Sequence, residues 1–589
     1  MLTFALSNQK PNVQKIMKKT LLAVIAAWAF YAGSAEAQNF ETAKEAVNHM
    51  GPGWNLGNTL DAHSGKRMED VVQSETSWGQ PLTTPELMTM MRNAGFGAIR
   101  VPVTWYPHMN DAGVVDAAWM ARVHQVVDYV LDAGMYCILN VHHDTGADSN
   151  YSTSWLKADE SIYNNVRQRY ENLWRQIANE FKNYDHHLLF ESYNEMLDVK
   201  NSWCFASFAA PGQYDASIAT SAYNAINSYA QSFVDVVRTT GGNNAQRNLV
   251  VNTYGCCSGG GTWNQHLKDP LKNMKYPTDP AGQGHIIFQV HSYPSLVENN
   301  RNRSIASIRS EIDDMVSAWN TYLVSKGAPV ILGEWGTSNV DAAVTDYDAR
   351  RELLFQFCEY FVKKCKDNNV GTFWWMGLSD GGSRALPAFS QPDLAECIIK
   401  AWYGSGYKGE FPTVDDFVIT YKVKYTGDWQ ELYLVPGTVN FSDYKGIRVE
   451  MAEKPAANSL QIKCYGETNG KEQYQMLNAN STVTTMTFNT TTLGKSAQKI
   501  TLQTMKGAQE ATLLRAWLIK KDNTEVALSD FTPFWGCSVE MAGVPMGIET
   551  PAVADKVKDG YIYNLQGQRV DAPTVPGIYI RDGKKFLMK

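Results

Sequence analysis

Between Gly53 and about Trp402 the chain repeats one pattern eight times: a short apolar run, then a stretch of helical period. The runs are GWNLGN, GAIRVPV, YCILNVH, LLFESYNE, NLVVNTY, IIFQVHSY, PVILGEWG and GTFWWM. Their near-continuous apolarity is that of strands covered on both faces. The intervening stretches read as helices. VDAAWMARVHQVVDYVLDAG offers Asp116 as N-cap, apolar Trp119, Val123, Val126, Val127, Val130 and Leu131 at helical spacing, and Gly134 as a stop. DYDARRELLFQFCEYFVKKCKDNN does the same before the eighth run. Eight such units predict an α/β fold, a (β/α)8 TIM barrel, which needs ~250 residues and tolerates insertions. A doubly wound open sheet is the alternative, but nothing here resembles a glycine-rich dinucleotide turn.

After Trp402 the period becomes two, in FVITYKVKY, QELYLVP, GIRVEM, SLQIKCYGE, VTTMTFN, KITLQTM and TLLRAWLIKKD. Residues 411–545 therefore read as an all-β sandwich of jelly-roll type, and 546–589 as a small β tail. At the other end, MKKTLLAVIAAWAFYAGSAEA has two lysines, an apolar run from Leu21 to Tyr31 and small residues up to Ala37. That pattern predicts a signal peptide over 1–37, with Met17 as an alternative start. Its apolar core is too short to span a bilayer comfortably, and no membrane span is expected once it is removed. Losing its net +3 takes the formal charge from −7 to −10. An acidic chain disfavours nucleic acid and suits a neutral substrate. Nine cysteines in a compartment that permits disulfides leave at least one unpaired, and none has zinc-site spacing.

In a (β/α)8 barrel the C-terminal strand ends floor the active site, so polar residues that close apolar runs point into it. Those residues are Asn58 after the first run, Arg100 within the second, His142 on the third, and Asn194 with Glu195 on the fourth. His291 and Tyr293 follow on the sixth, Glu334 on the seventh and Trp375 on the eighth. Two carboxylates facing one cleft suffice to cleave a glycosidic bond: one protonates the leaving oxygen, the other attacks the anomeric carbon or activates water. Arg100 and Tyr293 can keep Glu334 ionised, as a nucleophile requires, while Glu195 serves as the acid. Asn194 is placed for a sugar 2-hydroxyl, and Trp375 offers a stacking face. Each has a plainer reading: Glu334 as a buried carboxylate satisfied by an arginine, Trp374 and Trp375 as core. His142, His143 and Asp144 are adjacent, and successive strand residues point to opposite faces, so no metal is expected there, and no cofactor. His143 reads as supporting or capping. GCCSGGG lacks the Lys-Ser/Thr of a phosphate loop and reads as a connection.

In order, GWNLGNTLDA, ETSWGQP, GFGAIRVPVTW, ILNVHHD, FESYNE, VHSYP and ILGEWG resemble glycoside hydrolase family 5, the cellulase-type retaining β-glycosidases, over about residues 40–405. The resemblance implies a catalytic domain at 38–405 with Glu195 as acid/base and Glu334 as nucleophile. It implies Arg100, His142, Asn194, His291, Tyr293 and Trp375 around them. The expected activity is that of an endo-β-1,4-glucanase on a polysaccharide, with xyloglucanase, mixed-linkage glucanase or mannanase action on the same machinery, or glycan binding without turnover, as alternatives. One motif departs: the chain reads WWMGLSDGG where members of the endoglucanase branch often carry Asp-Asn-Gly. The sandwich looks like a carbohydrate-binding jelly roll, with Trp429, Tyr433 and Trp517 as platforms. The tail, with YNLQGQRV, GIYI and DGKK, is similar to sorting segments of the Bacteroidetes type IX secretion route. A monomer, exported through the periplasm to the surface or medium of a Gram-negative cell, is expected.

Overall fold

The computed structural model describes residues 40–64, 67, 70–147, 154–202, 214–261, 264–337, 347–528 and 531–545, and in the last segment the strand backbone at 562–563, 569–570, 577–581 and 584–588. The leader expected at 1–37 and Cys204 lie outside these residues. The chain divides after Pro412 into two compact units.

Eight parallel strands close the barrel of the first unit: β1 Pro52–Asn55, β2 Ala98–Val101, β3 Tyr136–Asn140, β4 Leu188–Glu191, β5 Leu249–Cys257, β6 Ile286–Ser292, β7 Val330–Trp335 and β8 Val370–Trp375. Their order round the ring is their order in the chain, with β8 pairing back to β1. Each of the eight apolar runs is one of these strands.

The strand period of two sorts the side chains into layers. Ile99, Leu139, Phe190, Val251, Phe288 and Leu332 lie in the large core that includes the helices. Their neighbours Ala98, Ile138, Leu189, Val250, Ile287 and Ile331 point inward and form a second core with Ala43, Ala46, Val47 and Met50. The first three of those come from the short helix Ala43–His49. Two residues further along the strands the inward positions are Asn55, Arg100, Asn140, Glu191, Asn252 and Gln289, each 0% exposed. The barrel interior thus changes from apolar to polar within one strand repeat. In β7 a register irregularity opposite Val290 and His291 brings Glu334 level with His291.

Among the helices outside the ring, Ala117–Asp132 starts where Asp116 accepts from the Ala118 and Trp119 amides. It buries Trp119, Val123, Val126, Val127 and Val130, with Leu131 half-buried, and gives way to Gly134 at φ +75°. Among the described residues no helix is long and apolar enough to cross a membrane. The eight described cysteines are all free.

The second unit contains two antiparallel sheets, one through 483–487, 444–451, 509–520, 417–425 and 537–545, the other through 471–478, 460–468, 496–504, 431–435 and 532–535. Ile447, Leu518, Leu432 and Leu502 pack between them. In the final segment the four described strands form a sheet of their own. Leu432 and Leu434 are core residues, and so are Ala516 and Leu518. By alternation Tyr433 and Trp517 therefore face outward from different sheets. Two of the three aromatics offered as platforms, Tyr433 and Trp517, thus do not share a face. Trp517 is also covered by the Arg448 guanidinium, 4.2 Å from its ring centroid.

Candidate active site

A cavity of about 550 Å³ opens at the C-terminal ends of the strands, lined by Glu195, Glu334, His142, Asn194, His291, Tyr293 and Trp375 among others. Seven of the nine residues singled out from the sequence thus meet in one place. Of the other two, Arg100 is fully buried beneath them. Asn58 is not among the lining residues.

Two placements differ from the expected ones. β4 ends at Glu191, so Asn194 and Glu195 lie in the loop that follows, and β3 ends at Asn140, two residues before His142. The loops still hold sheet-like contact, because the Asn194 amide donates to the Val141 carbonyl at 2.9 Å. That bond continues the ladder past the formal strand ends and fixes where Glu195 projects.

The floor is built around Arg100. Its Nε and Nη2 donate to the two Glu191 oxygens at 2.6 and 2.8 Å. Nη2 also reaches Asn194 Oδ1 at 2.8 Å, while Nη1 reaches Asn55 Oδ1 at 3.0 Å and Glu334 Oε1 at 2.7 Å. The other Glu334 oxygen accepts from the Tyr293 hydroxyl at 2.8 Å. His291 Nδ1 lies 2.9 Å from Glu195 Oε1 and 3.6 Å from Glu334 Oε2. Hence one ring nitrogen stands between the two carboxylates, and an oxygen of each falls within 4.8 Å of the other. Retaining glycosidases hold their carboxyl groups about 5–5.5 Å apart and inverting ones about 6.5–9.5 Å.

Burial raises the Glu334 carboxyl above its ordinary value, against the lowering effects of the Arg100 charge and of the Arg100 and Tyr293 hydrogen bonds. Burial pushes His142 and His291 far below the usual histidine range, with Arg100 adding to both, so each imidazole is neutral. The Tyr293 hydroxyl is held well above its usual range by burial and by the Glu334 and Glu195 charges, and remains a donor. Burial alone would lower Arg100, but Glu191 and Glu334 raise it above its ordinary range, and it stays cationic.

The two ring nitrogens of His142 face the Asn140 and Asn194 amide nitrogens at 3.0 and 3.3 Å, and the neutral imidazole accepts from one of them. Trp375 lies parallel to it, with ring centroids 5.8 Å apart and planes at 4°. Trp374 turns the other way, buried edge-on against Trp335. His143 also lines the cavity, with Nε2 3.8 Å from the buried Asp61 Oδ2. Asp144 is turned away, accepting from the Trp105 and Tyr106 amides and from the Trp155 indole. The three residues weighed as metal ligands therefore do not converge. A nearby set that does is Asp61, His142 and His143, whose ligand atoms lie within 4.8 Å of one another. GCCSGGG does more than connect: Gly255 and Cys257 to Gly260 form one wall of the cavity. In the departing segment after β8, Asp380 pairs with the Gln80 amide, and the Gly381 amide donates to Gln80 at 3.0 Å.

Glu191, Asn55, Asn140, Asn252 and Gln289 escaped the reading of strand endings because they lie inside the runs. The signal that finds them is the strand period, counted two residues on from each inward apolar residue.

A family profile for Cellulase (glycosyl hydrolase family 5) matches residues 61–380. Endoglucanase B of Neocallimastix patriciarum is 33% identical over 354 residues, 58% of this chain and 66% of that protein. Endoglucanase A of Paenibacillus barcinonensis is 32% identical over 348 residues, 56% of this chain and 82% of that protein. Among solved structures, a GH5-4 broad specificity endoglucanase from an uncultured bacterium is 59% identical with a TM-score of 0.60, covering 64% of this chain and 99% of that one. A family 5 enzyme of Prevotella bryantii B14, determined with a xyloglucan tetradecasaccharide, is 41% identical with a TM-score of 0.55, covering 62% of this chain and 99% of that one. The profile spans more than half of the 589 residues, and the chain therefore belongs to glycosyl hydrolase family 5, the cellulases.

Proposed function

We propose that the protein is an endo-β-1,4-glucanase that hydrolyses internal bonds of plant glucans by double displacement, with Glu334 as nucleophile and Glu195 as acid/base. The observation that carries this is the pair of carboxylates within 4.8 Å across His291 at the cavity floor. Glu334 attacks the anomeric carbon while Glu195 protonates the leaving oxygen. Glu195 then takes a proton from the water that releases the glycosyl-enzyme, and the configuration is retained. Arg100 and Tyr293 each hold one oxygen of Glu334 and fix the line of attack. Asn194, itself held by Arg100, meets the sugar 2-hydroxyl, a contact that strengthens at the transition state. Trp375, level with His142, gives the sugar a face. The relatives named as endoglucanases support the substrate class.

The test uses Glu334→Gly with azide. Recovery of turnover with a product of inverted configuration is expected, whereas full activity in Glu334→Ala overturns the assignment. Glu195→Ala is expected to lose far more rate on substrates with poor leaving groups than on activated aryl glycosides.

Xyloglucan is a second reading, favoured by the tetradecasaccharide bound to the Prevotella enzyme. Comparing rates on xyloglucan, mixed-linkage glucan and carboxymethylcellulose separates the two. The sandwich, over 411–545, is assigned a glycan-adsorbing role. The sequence patterns at 1–37 and 546–589 support export, with the tail as a sorting address. Deleting 546–589 is then expected to leave the enzyme in the periplasm, and unchanged export to the medium would refute the address.

A further inference from the structure

Glu191 takes no part in the two displacement steps, yet it is among the most heavily bonded side chains of the floor. Its side chain is fully buried at the end of β4. Besides the two Arg100 donors, Oε1 accepts from Asn140 Nδ2 at 3.2 Å and from Asn252 Nδ2 at 3.0 Å. A structural anchor needs no more than that. Two features go further. The guanidinium that Glu191 grips from one side holds Glu334 Oε1 and Asn194 Oδ1 with its remaining donors, so its orientation is theirs. Arg100 also stands buried between two carboxylates, where charges act strongly on one another. A cation left wholly to Glu334 would deepen that ion pair and blunt the attack.

We propose that Glu191 is a positioning residue, which orients Arg100 and shares its charge so that Glu334 is held in line without being locked in an ion pair. This rests on Glu334 being the nucleophile. The groups facing Glu334 are Arg100 from β2, His291 from β6, Tyr293 from the loop after it, and Glu195 from the loop after β4. Glu191 acts on it through Arg100 and by its own charge, which raises the Glu334 carboxyl.

The experiment is the pH profile of kcat/KM on an activated aryl β-cellobioside, with unfolding measured alongside. Glu191→Gln removes the charge and leaves Arg100 to Glu334. Its acid limb is expected to move down by about one pH unit, and its rate to fall roughly 100-fold through lost orientation. Glu191→Asp keeps the charge, and its limb is expected to stay within about 0.3 unit of wild type with part of the rate restored. Asn252→Ala withdraws one donor but no charge, so Glu191 draws harder on Arg100 and the limb moves up. A folded Glu191→Gln with an unmoved limb overturns the proposal. If that variant does not fold, an unmoved limb in Asn252→Ala does so. Failure of azide to rescue Glu334→Gly would sink the nucleophile reading instead.

Discussion

Arg100 has five N–H donors, and the floor uses all five: two on Glu191 and one each on Asn55, Asn194 and Glu334. A lysine has three donors on a point charge and cannot span that fork. Arg100→Lys leaves two of these acceptors without a donor and is therefore expected to cost about 3–6 kcal/mol in denaturant unfolding, at about 1.5–3 kcal/mol for each hydrogen bond to a charged group. The same change has a signed effect on activity. Burial already raises Glu334 above the ordinary glutamate value of 4.5, and Arg100 opposes that rise. In the wild type, activity should fall as the pH drops through a point above 4.5. With Arg100 weakened, Glu334 takes up its proton at higher pH still, so the acid limb should move up, opposite to the shift expected for Glu191→Gln. A limb that stays in place would separate Arg100 from the ionisation of Glu334. The two glutamates proposed to react were legible as cavity residues because each sits where an apolar run gives out. Arg100 was legible too, though not its partner Glu191, which reads in sequence as one polar letter inside FESYNE.

At the scale of the strand, Gly333 shows why the residue before the β7 glutamate is small. A Cβ there would lie 2.3 Å from the Gln289 carboxamide, which is fully buried and approaches His291 Nε2 at 3.3 Å. Gln289 is fully buried, so a methyl at 333 presses on the support of His291 and through it on both carboxylates. Gly333→Ala is expected to cost about 1–3 kcal/mol, as overpacking of a filled core does. It should also lower kcat/KM at least tenfold. Adding Gln289→Ala removes the collision partner, so the double variant should be more stable than the two losses summed. Thermal unfolding of the three variants decides it, and simple additivity would mean that the two side chains do not press on each other. All eight strands were legible because burial on both faces makes most of their residues apolar. Their ends were less so: β4 stops at Glu191, and the chain runs on to Glu195 with one sheet-like bond from Asn194 to Val141. Composition alone does not distinguish that extension from strand.

Across the whole molecule, the family match ends at residue 380, and the second compact unit begins at Thr413 with its own buried core. The two-residue period announced that unit, and its two sheets account for the period. Which aromatics share a face was not legible, because alternation fixes the face within a strand but not which sheet the strand joins. Tyr433 and Trp517 turned out on different sheets, and Trp517 is covered by Arg448. The exposed candidates are Trp429 and Trp535, 52% and 58% exposed, the first preceding strand 431–435 and the second on strand 532–535 that pairs with it. Aromatic rings left in water near a sheet of hydrogen-bonding side chains suit stacking on a neutral sugar chain. If the sandwich adsorbs glycan, Trp429→Ala with Trp535→Ala should weaken retention on insoluble cellulose several-fold, while Trp517→Ala leaves it unchanged. A chain ending at Pro412 should lose the same retention yet keep kcat/KM on soluble cello-oligosaccharides within about twofold, since the barrel keeps its own core. Retention that survives both the double substitution and the truncation would place all of the affinity in the barrel cleft and leave the sandwich as a spacer.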